Sequence, residues 1–200
     1  MTPDLNRIYL GDCLETMRSW PDDCVDITVT SPPYNTLPQV SAASGIHKGN
    51  AWVEKSKKGV GYDDDRPESE YQAWVKDVIT ECLRVSKGTV WVNHKTRYRD
   101  GAGIHPLAFM PFPFHAEVIW NRCRSMVMNA KKYAPSHEVI YGFGSPHYWD
   151  SSLDGKMSVW NLPPKSQGID HPCPYPIELI SPLIVSSCPR GGGRLRPVHG

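Results

Sequence analysis

The sequence predicts an α/β domain organised around a parallel sheet, and three observations carry that expectation. Val25–Thr30 and Thr89–Asn93 are short apolar runs rich in β-branched residues, the composition of buried strands. Glu68–Val85, between them, has the three- and four-residue apolar spacing of an amphipathic helix, and a strand-helix-strand order is typical of parallel α/β sheets. Ser31-Pro-Pro-Tyr34 then follows the first strand directly, and open α/β sheets hold their ligands outside the carboxyl ends of strands.

Taken in order, Arg7–Leu10 reads as a short strand and Asp12–Trp20 as a short helix whose first residue can cap it. After the Val25–Thr30 strand, Asn35–Asp65 is polar, rich in Gly, Ser and Lys, and without periodicity, which predicts a long mobile loop of the kind that often serves as a lid. The helix over Glu68–Val85 presents Tyr71, Trp74, Val75, Val78, Ile79, Cys82 and Leu83 as one stripe, and Gly88 is expected to stop it. Glu138–Tyr141 and Lys156–Trp160 read as further strands. Pro176 is placed to open a helix over Ile177–Val185, in which Pro182 would be a strain.

A chain of 200 residues, 40% hydrophobic and 22% charged, is long enough for one domain with a core. No run approaches membrane-spanning length, and the N-terminus lacks a basic segment followed by an apolar one, so a cytoplasmic protein without a signal peptide is expected. Six cysteines occur without a CxxC pair, which argues for reduced thiols and against a zinc site or disulfide framework. His94, His105, His115, His137 and His147 have no ligand-like spacing, and no metal is expected. The net charge of +1 excludes neither nucleic acid nor small molecules. Its distribution is more telling: no acidic residue lies between Glu117 and Glu138, whereas Arg122, Arg124, Lys131 and Lys132 do, which suits either a solvated face or a phosphate-contacting surface.

The loop after the first strand carries the chemistry. Pro32 and Pro33 offer carbonyls but no N–H, and each holds the residue before it extended, so Ser31-Pro-Pro-Tyr34 is rich in acceptors. Such a loop suits a ligand that donates protons, such as the exocyclic amine of a nucleic-acid base, with Tyr34 as a face on which a base can stack. A Pro-Pro turn with a packing tyrosine is the bland alternative.

Several segments together resemble the DNA amino-methyltransferases that make N4-methylcytosine or N6-methyladenine, in their permuted β-type arrangement. Ile8–Leu14 and Pro21–Ile27 lead to Thr30-Ser-Pro-Pro-Tyr-Asn35, which looks like the family's catalytic motif, and His171-Pro-Cys-Pro-Tyr-Pro176 looks like its HPxxxP segment. The resemblance implies a Rossmann-like S-adenosylmethionine-dependent methyltransferase sheet with an inserted target-recognition region. The catalytic part would span about 1–96, the recognition region about 97–165, and the HPxxxP segment with the tail 166–200. It implies that the Ser31 side chain and the Pro32 carbonyl hold the amine while Tyr34 stacks on a flipped base, with double-stranded DNA as partner. Asp12 would lie near the adenosine part of S-adenosylmethionine, and His171, Pro172 and Pro176 near its methionine part. Arg122, Arg124, Lys131 and Lys132 would contact DNA phosphates. Serine in the first motif position favours cytosine N4, and Asn35 after the tyrosine keeps adenine N6 open.

The chain departs from the family at Arg194–Gly200, where a strand ending in Asp-Pro-Phe-x-Gly-x-Gly is expected. Those residues can be encoded by CGT CTT CGA CCC GTT CAT GG, which one nucleotide later reads Val-Phe-Asp-Pro-Phe-Met-Gly. The expectation is therefore a frameshift near Gly191–Gly193, an incomplete sheet with an unpaired side, and weak cofactor binding. A catalytically dead DNA-binding remnant is the alternative from another class, and an unrelated α/β enzyme with a Pro-Pro loop is a third.

Overall fold

The computed structural model of the protein describes residues 2–4, 6–35, 66–99, 101–123, 133–164 and 176–197. Among these, three helices flank a mixed six-stranded sheet. The helices are α1 (Cys13–Arg18), α2 (Glu68–Val85) and α3 (Ile177–Ser187). The strands are β1 (Ile27–Thr30), β2 (Val90–His94), β3 (Arg97–Arg99), β4 (Ala102–Ile104), β5 (Phe114–Asn121), β6 (His137–Phe143), β7 (Val159–Asn161) and β8 (Arg194–Leu195). The sheet order is β7-β5-β6-β2-β1-β8, and β3 and β4 form a separate hairpin.

The expected strand-helix-strand unit is present: β1 pairs parallel with β2, with Thr28 opposite Val90 and Thr30 opposite Val92. β5 and β6 are antiparallel to each other, β6 is antiparallel to β2, and β7 joins β5 parallel. Side chains alternate across the sheet as its period of two requires. Val90, Val92, Tyr141 and Phe143 face a core built with α1 and α2, while Ile27, Val29, Trp91 and Ile140 face a second core built with Leu179 and Leu183 of α3.

Helix α2 occupies the predicted residues, and its stripe is buried at Tyr71, Val75, Val78, Ile79, Cys82 and Val85. Gly88 does not end it. Ser86 is already extended and bridges to Val25, and Gly88 is needed because a Cβ there would lie 2.9 Å from the Asp26 carbonyl oxygen. Helix α3 continues through Pro182, with Pro176 at its N-cap rather than inside it.

Three expectations are corrected. Arg7–Leu10 is not a strand: its backbone pairs with no strand among the described residues, Ile8 and Leu10 are 93% and 96% exposed, and only Tyr9 packs, edge-on against Trp20. The strand expected at Lys156–Trp160 is confined to Val159–Asn161, because the turn around Gly155 and the bond from Trp160 Nε1 to the Met157 carbonyl hold the preceding residues. The outer side of β1 is paired: Arg194–Leu195 lie parallel to Ile27–Thr28, and Gly193 and Asp26 exchange hydrogen bonds of 2.7 and 2.8 Å. Backbone pairing reads the main chain, so a divergent tail sequence still forms it.

Residues 97–165 hold β3 to β7, and three of these strands belong to the central sheet. The longest, β5, was not anticipated. The loop expected at Asn35–Asp65 lies outside the described residues, apart from Asn35 itself.

Candidate active site

The carboxyl ends of β1 and β2 lie side by side, and Ser31-Pro-Pro-Tyr34 leaves the first of them. Two tyrosines fix this loop. The Tyr34 hydroxyl is at the centre of one network: Ser31 Oγ donates to it at 3.0 Å, Asn93 Nδ2 donates at 2.6 Å, and the phenol donates to Glu138 Oε2 at 3.0 Å. Asn93 Nδ2 also donates to the same Glu138 oxygen at 2.7 Å, and Arg122 reaches Oε1 at 3.2 Å. Glu138 is buried, with 7% of its side chain exposed, and its charge is balanced by Arg122. The Tyr34 ring lies 4.6 Å from the His94 ring and 5.1 Å from the Lys95 ammonium.

Tyr71, from α2, holds the loop from behind. Its hydroxyl lies 2.7 Å from the Pro33 carbonyl and 2.8 Å from His94 Nε2. Proton directions follow from the ring's other nitrogen. The Lys95 N–H points at Nδ1 at 2.9 Å, so a neutral His94 carries its proton on Nε2 and donates to Tyr71, whose own proton goes to Pro33. The opposite tautomer would set the Lys95 N–H against another proton and leave the Pro33 carbonyl facing an oxygen with no proton to give. Burial pushes His94 down to about 3, and the Arg97 and Lys95 charges add to this against the opposing effects of the Lys95 backbone and Glu68.

Arg97, 1% exposed, closes the base of this arrangement. It forms a two-pronged pair with Glu68 at 2.8 and 2.6 Å and stacks over Tyr71 and Phe109 at 4.5 and 5.0 Å. Burial works to raise Glu68, but hydrogen bonds from Arg97 and Gln72 and the charges of Arg97 and Arg99 outweigh it and hold the carboxyl low. Asn35, fully buried with a positive φ of 53°, exchanges two side-chain hydrogen bonds with the Arg66 backbone at 2.7 and 2.9 Å. It thus ties the two ends of the chain that flank residues 36–65.

Of the other residues singled out from the sequence, Asp12 is the N-cap of α1, where one oxygen accepts from Leu14 and Glu15 N–H at 2.8 and 3.1 Å. Pro176 is the buried N-cap of α3. Arg122 is turned inward to Glu138. Arg124, Lys131, Lys132, His171 and Pro172 lie outside the described residues. Sequence reasoning did not single out Tyr71, Asn93, His94 or Glu138 for the site. The signal was present: Asn93 and His94 end the strand beside the motif strand, and Glu138 is the acidic residue that closes the basic stretch.

The family model for N6/N4 DNA methylases matches residues 25–200. The chain belongs to this family. The type II methyltransferase M.BglII of Bacillus subtilis is 32% identical to this methylase over 155 residues, covering 72% of the chain and 37% of its own length. The methylase thus spans little more than a third of that relative. Among solved structures, the cytosine-N4-specific PvuII DNA methyltransferase superposes with a TM-score of 0.66 at 13% identity, over 98% of this chain and 82% of its own. A DNA modification methylase of Thermus thermophilus, in complex with S-adenosyl-L-methionine, superposes with a TM-score of 0.57 at 18% identity, over 96% and 78%. Both share the fold. Among the described residues, no helix is long and apolar enough to cross a membrane, and no group of three or more His, Cys, Asp or Glu is placed to hold a metal.

Proposed function

We propose that this methylase transfers a methyl group from S-adenosylmethionine to the exocyclic amine of a base flipped out of double-stranded DNA, with cytosine N4 as the favoured acceptor. The observation that carries the reading is the acceptor loop Ser31-Pro-Pro-Tyr34, anchored at the carboxyl end of β1 by Tyr34 and Tyr71. An exocyclic amine is a poor nucleophile because its lone pair is delocalised into the ring. Ser31 Oγ and the Pro32 carbonyl accept its two N–H bonds and hold them where the lone pair is freed, while Tyr71 engages the neighbouring Pro33 carbonyl. Tyr34 presents its ring to the base, and Lys95, which is only half-buried, moves aside from it.

S-adenosylmethionine supplies a sulfonium methyl to an in-line attack, and positioning accounts for most of the gain. The residues fit such a molecule at Asp12, whose second carboxylate oxygen remains for a hydroxyl of the adenosine part. His171, Pro172 and Pro176 are assigned to the methionine part, and Arg124, Lys131 and Lys132 to DNA phosphates. The DNA-contacting part of residues 97–165 is centred between β5 and β6. Asn35 does not point to adenine, since its side chain is committed to Arg66. A cytoplasmic location follows from a DNA substrate.

Incubation of the protein with DNA and methyl-labelled S-adenosylmethionine, followed by nucleoside chromatography, tests this. Label in N4-methyldeoxycytidine is expected, lost in Ser31→Ala and Tyr34→Ala variants. Label in N6-methyldeoxyadenosine would move the acceptor to adenine, and no label would refute the reading.

A further inference from the structure

Transfer of a methyl to an amine leaves one proton too many on nitrogen, and a closed site needs somewhere to put it. Resting on the methyltransferase reading, we propose that Glu138 is the terminal acceptor of that proton, reached from the base through Ser31 and Tyr34.

The hydrogen bonds have only one consistent direction. Asn93 Nδ2 and Arg122 can only donate, and they fill acceptor positions on Glu138 and, for Asn93, on the Tyr34 oxygen. Glu138 as a carboxylate can only accept, so the phenol proton lies on the 3.0 Å line from Tyr34 to Oε2. The Tyr34 oxygen then takes its second proton from Ser31 at 3.0 Å. The result is a wire that starts at the loop hydroxyl and ends on a buried carboxylate contributed by β6. Ser31 keeps its lone pairs for the base amine.

The step balances without a further reagent. The amine lone pair forms the new N–CH3 bond, and the S–CH3 bond breaks with its electron pair remaining on sulfur. The N–H proton passes to Ser31 Oγ as the Ser31 proton passes to Tyr34 and the Tyr34 proton to Glu138. The carboxylic acid loses its proton to water at the side shared with Arg122, which is 28% exposed. His94 is not a competing base: its two ring nitrogens are engaged by Lys95 and Tyr71, away from Ser31. Among the described residues, the groups facing Glu138 are Tyr34 from the loop after β1, Asn93 from β2 and Arg122 from the end of β5.

The test is single-turnover methyl transfer by the full chain, in ordinary and deuterated water. Glu138→Gln keeps the shape and removes the proton affinity, and should slow the step about 100-fold with the KM for DNA within about threefold of the parent. Tyr34→Phe should slow it comparably. The double variant should be no slower than either single one, because both break the same wire. Glu138→Asp should recover about tenfold, and the solvent isotope effect of the parent should vanish in Glu138→Gln. A Glu138→Gln rate within about threefold of the parent, or losses that multiply in the double variant, overturns the assignment. If Glu138→Gln does not fold, Tyr34→Phe decides alone, since it leaves Glu138 its Asn93 and Arg122 bonds, and a parent-like rate again overturns it. A parent that transfers no methyl refutes the methyltransferase reading itself and this assignment with it.

Discussion

Replacing His94 by glutamine should flatten the acid side of the stability profile. His94 is fully buried beneath the Tyr34 ring, and burial holds it neutral down to about pH 3 in the folded protein. In the unfolded chain it takes up a proton near about pH 6.5. Between these values the unfolded state binds one more proton than the native state, so stability falls with falling pH by about 1.4 kcal/mol per unit from this residue alone. The folded pKa is depressed, so the contribution is complete above the unfolded pKa and is lost as pH drops through the window. Urea unfolding at intervals between about pH 6 and about pH 4 should therefore show the parent losing about 2–3 kcal/mol more than His94→Gln over that range, whatever the offset between them at neutral pH. Curves that stay parallel to within about 0.5 kcal/mol would mean that His94 takes a proton in the folded state, and the Lys95–His94–Tyr71–Pro33 proton order would be wrong.

Glu68→Gln leaves the buried Arg97 charge without its partner and should cost about 2–4 kcal/mol in urea unfolding, discounted from the fully buried case because Glu68 is 24% exposed. The carboxyl is held low in the native state, so this stabilisation is present above about pH 4.3 and disappears as pH falls further, when parent and variant should converge. Gly142→Ala places a Cβ 2.8 Å from Trp91 Cζ3 and 3.2 Å from the Ala116 Cβ, and Trp91 is held by Ser187 at 2.8 Å, so a loss of about 1–3 kcal/mol is expected in thermal or urea unfolding. Asn35→Ala breaks both bonds to Arg66 and should lower stability by about 1–3 kcal/mol, with faster proteolysis between residues 35 and 66 as the local readout.

Much of the fold was legible because it rests on short-range pattern. Helix α2 was readable from its stripe, α1 from its Asp12 cap, and the β1-α2-β2 unit from two β-branched runs around that stripe. The acceptor loop was readable too, because proline fixes backbone geometry by its own covalent structure, and the resemblance built on that loop agrees with the family to which the chain belongs. Strand β5 was less legible: Phe114–Asn121 alternates only weakly and lies in a basic, aromatic stretch, and its pairing with β6 is a non-local choice. Arg7–Leu10 failed in the opposite sense, since an apolar run becomes a strand only beside a partner.

What the sequence determined by itself was therefore the class of the fold and the position of the chemistry on it, because both depend on residues within a turn or two of each other. Only the tertiary structure decided the surroundings of Ser31 and Tyr34. Tyr71 arrives from α2, Asn93 and His94 from β2, Glu138 from β6 and Arg122 from the end of β5, joined by hydrogen bonds between residues 16 to 104 positions apart. Such bonds depend on side-chain direction and on where strands from distant segments align, and neither is encoded in local spacing.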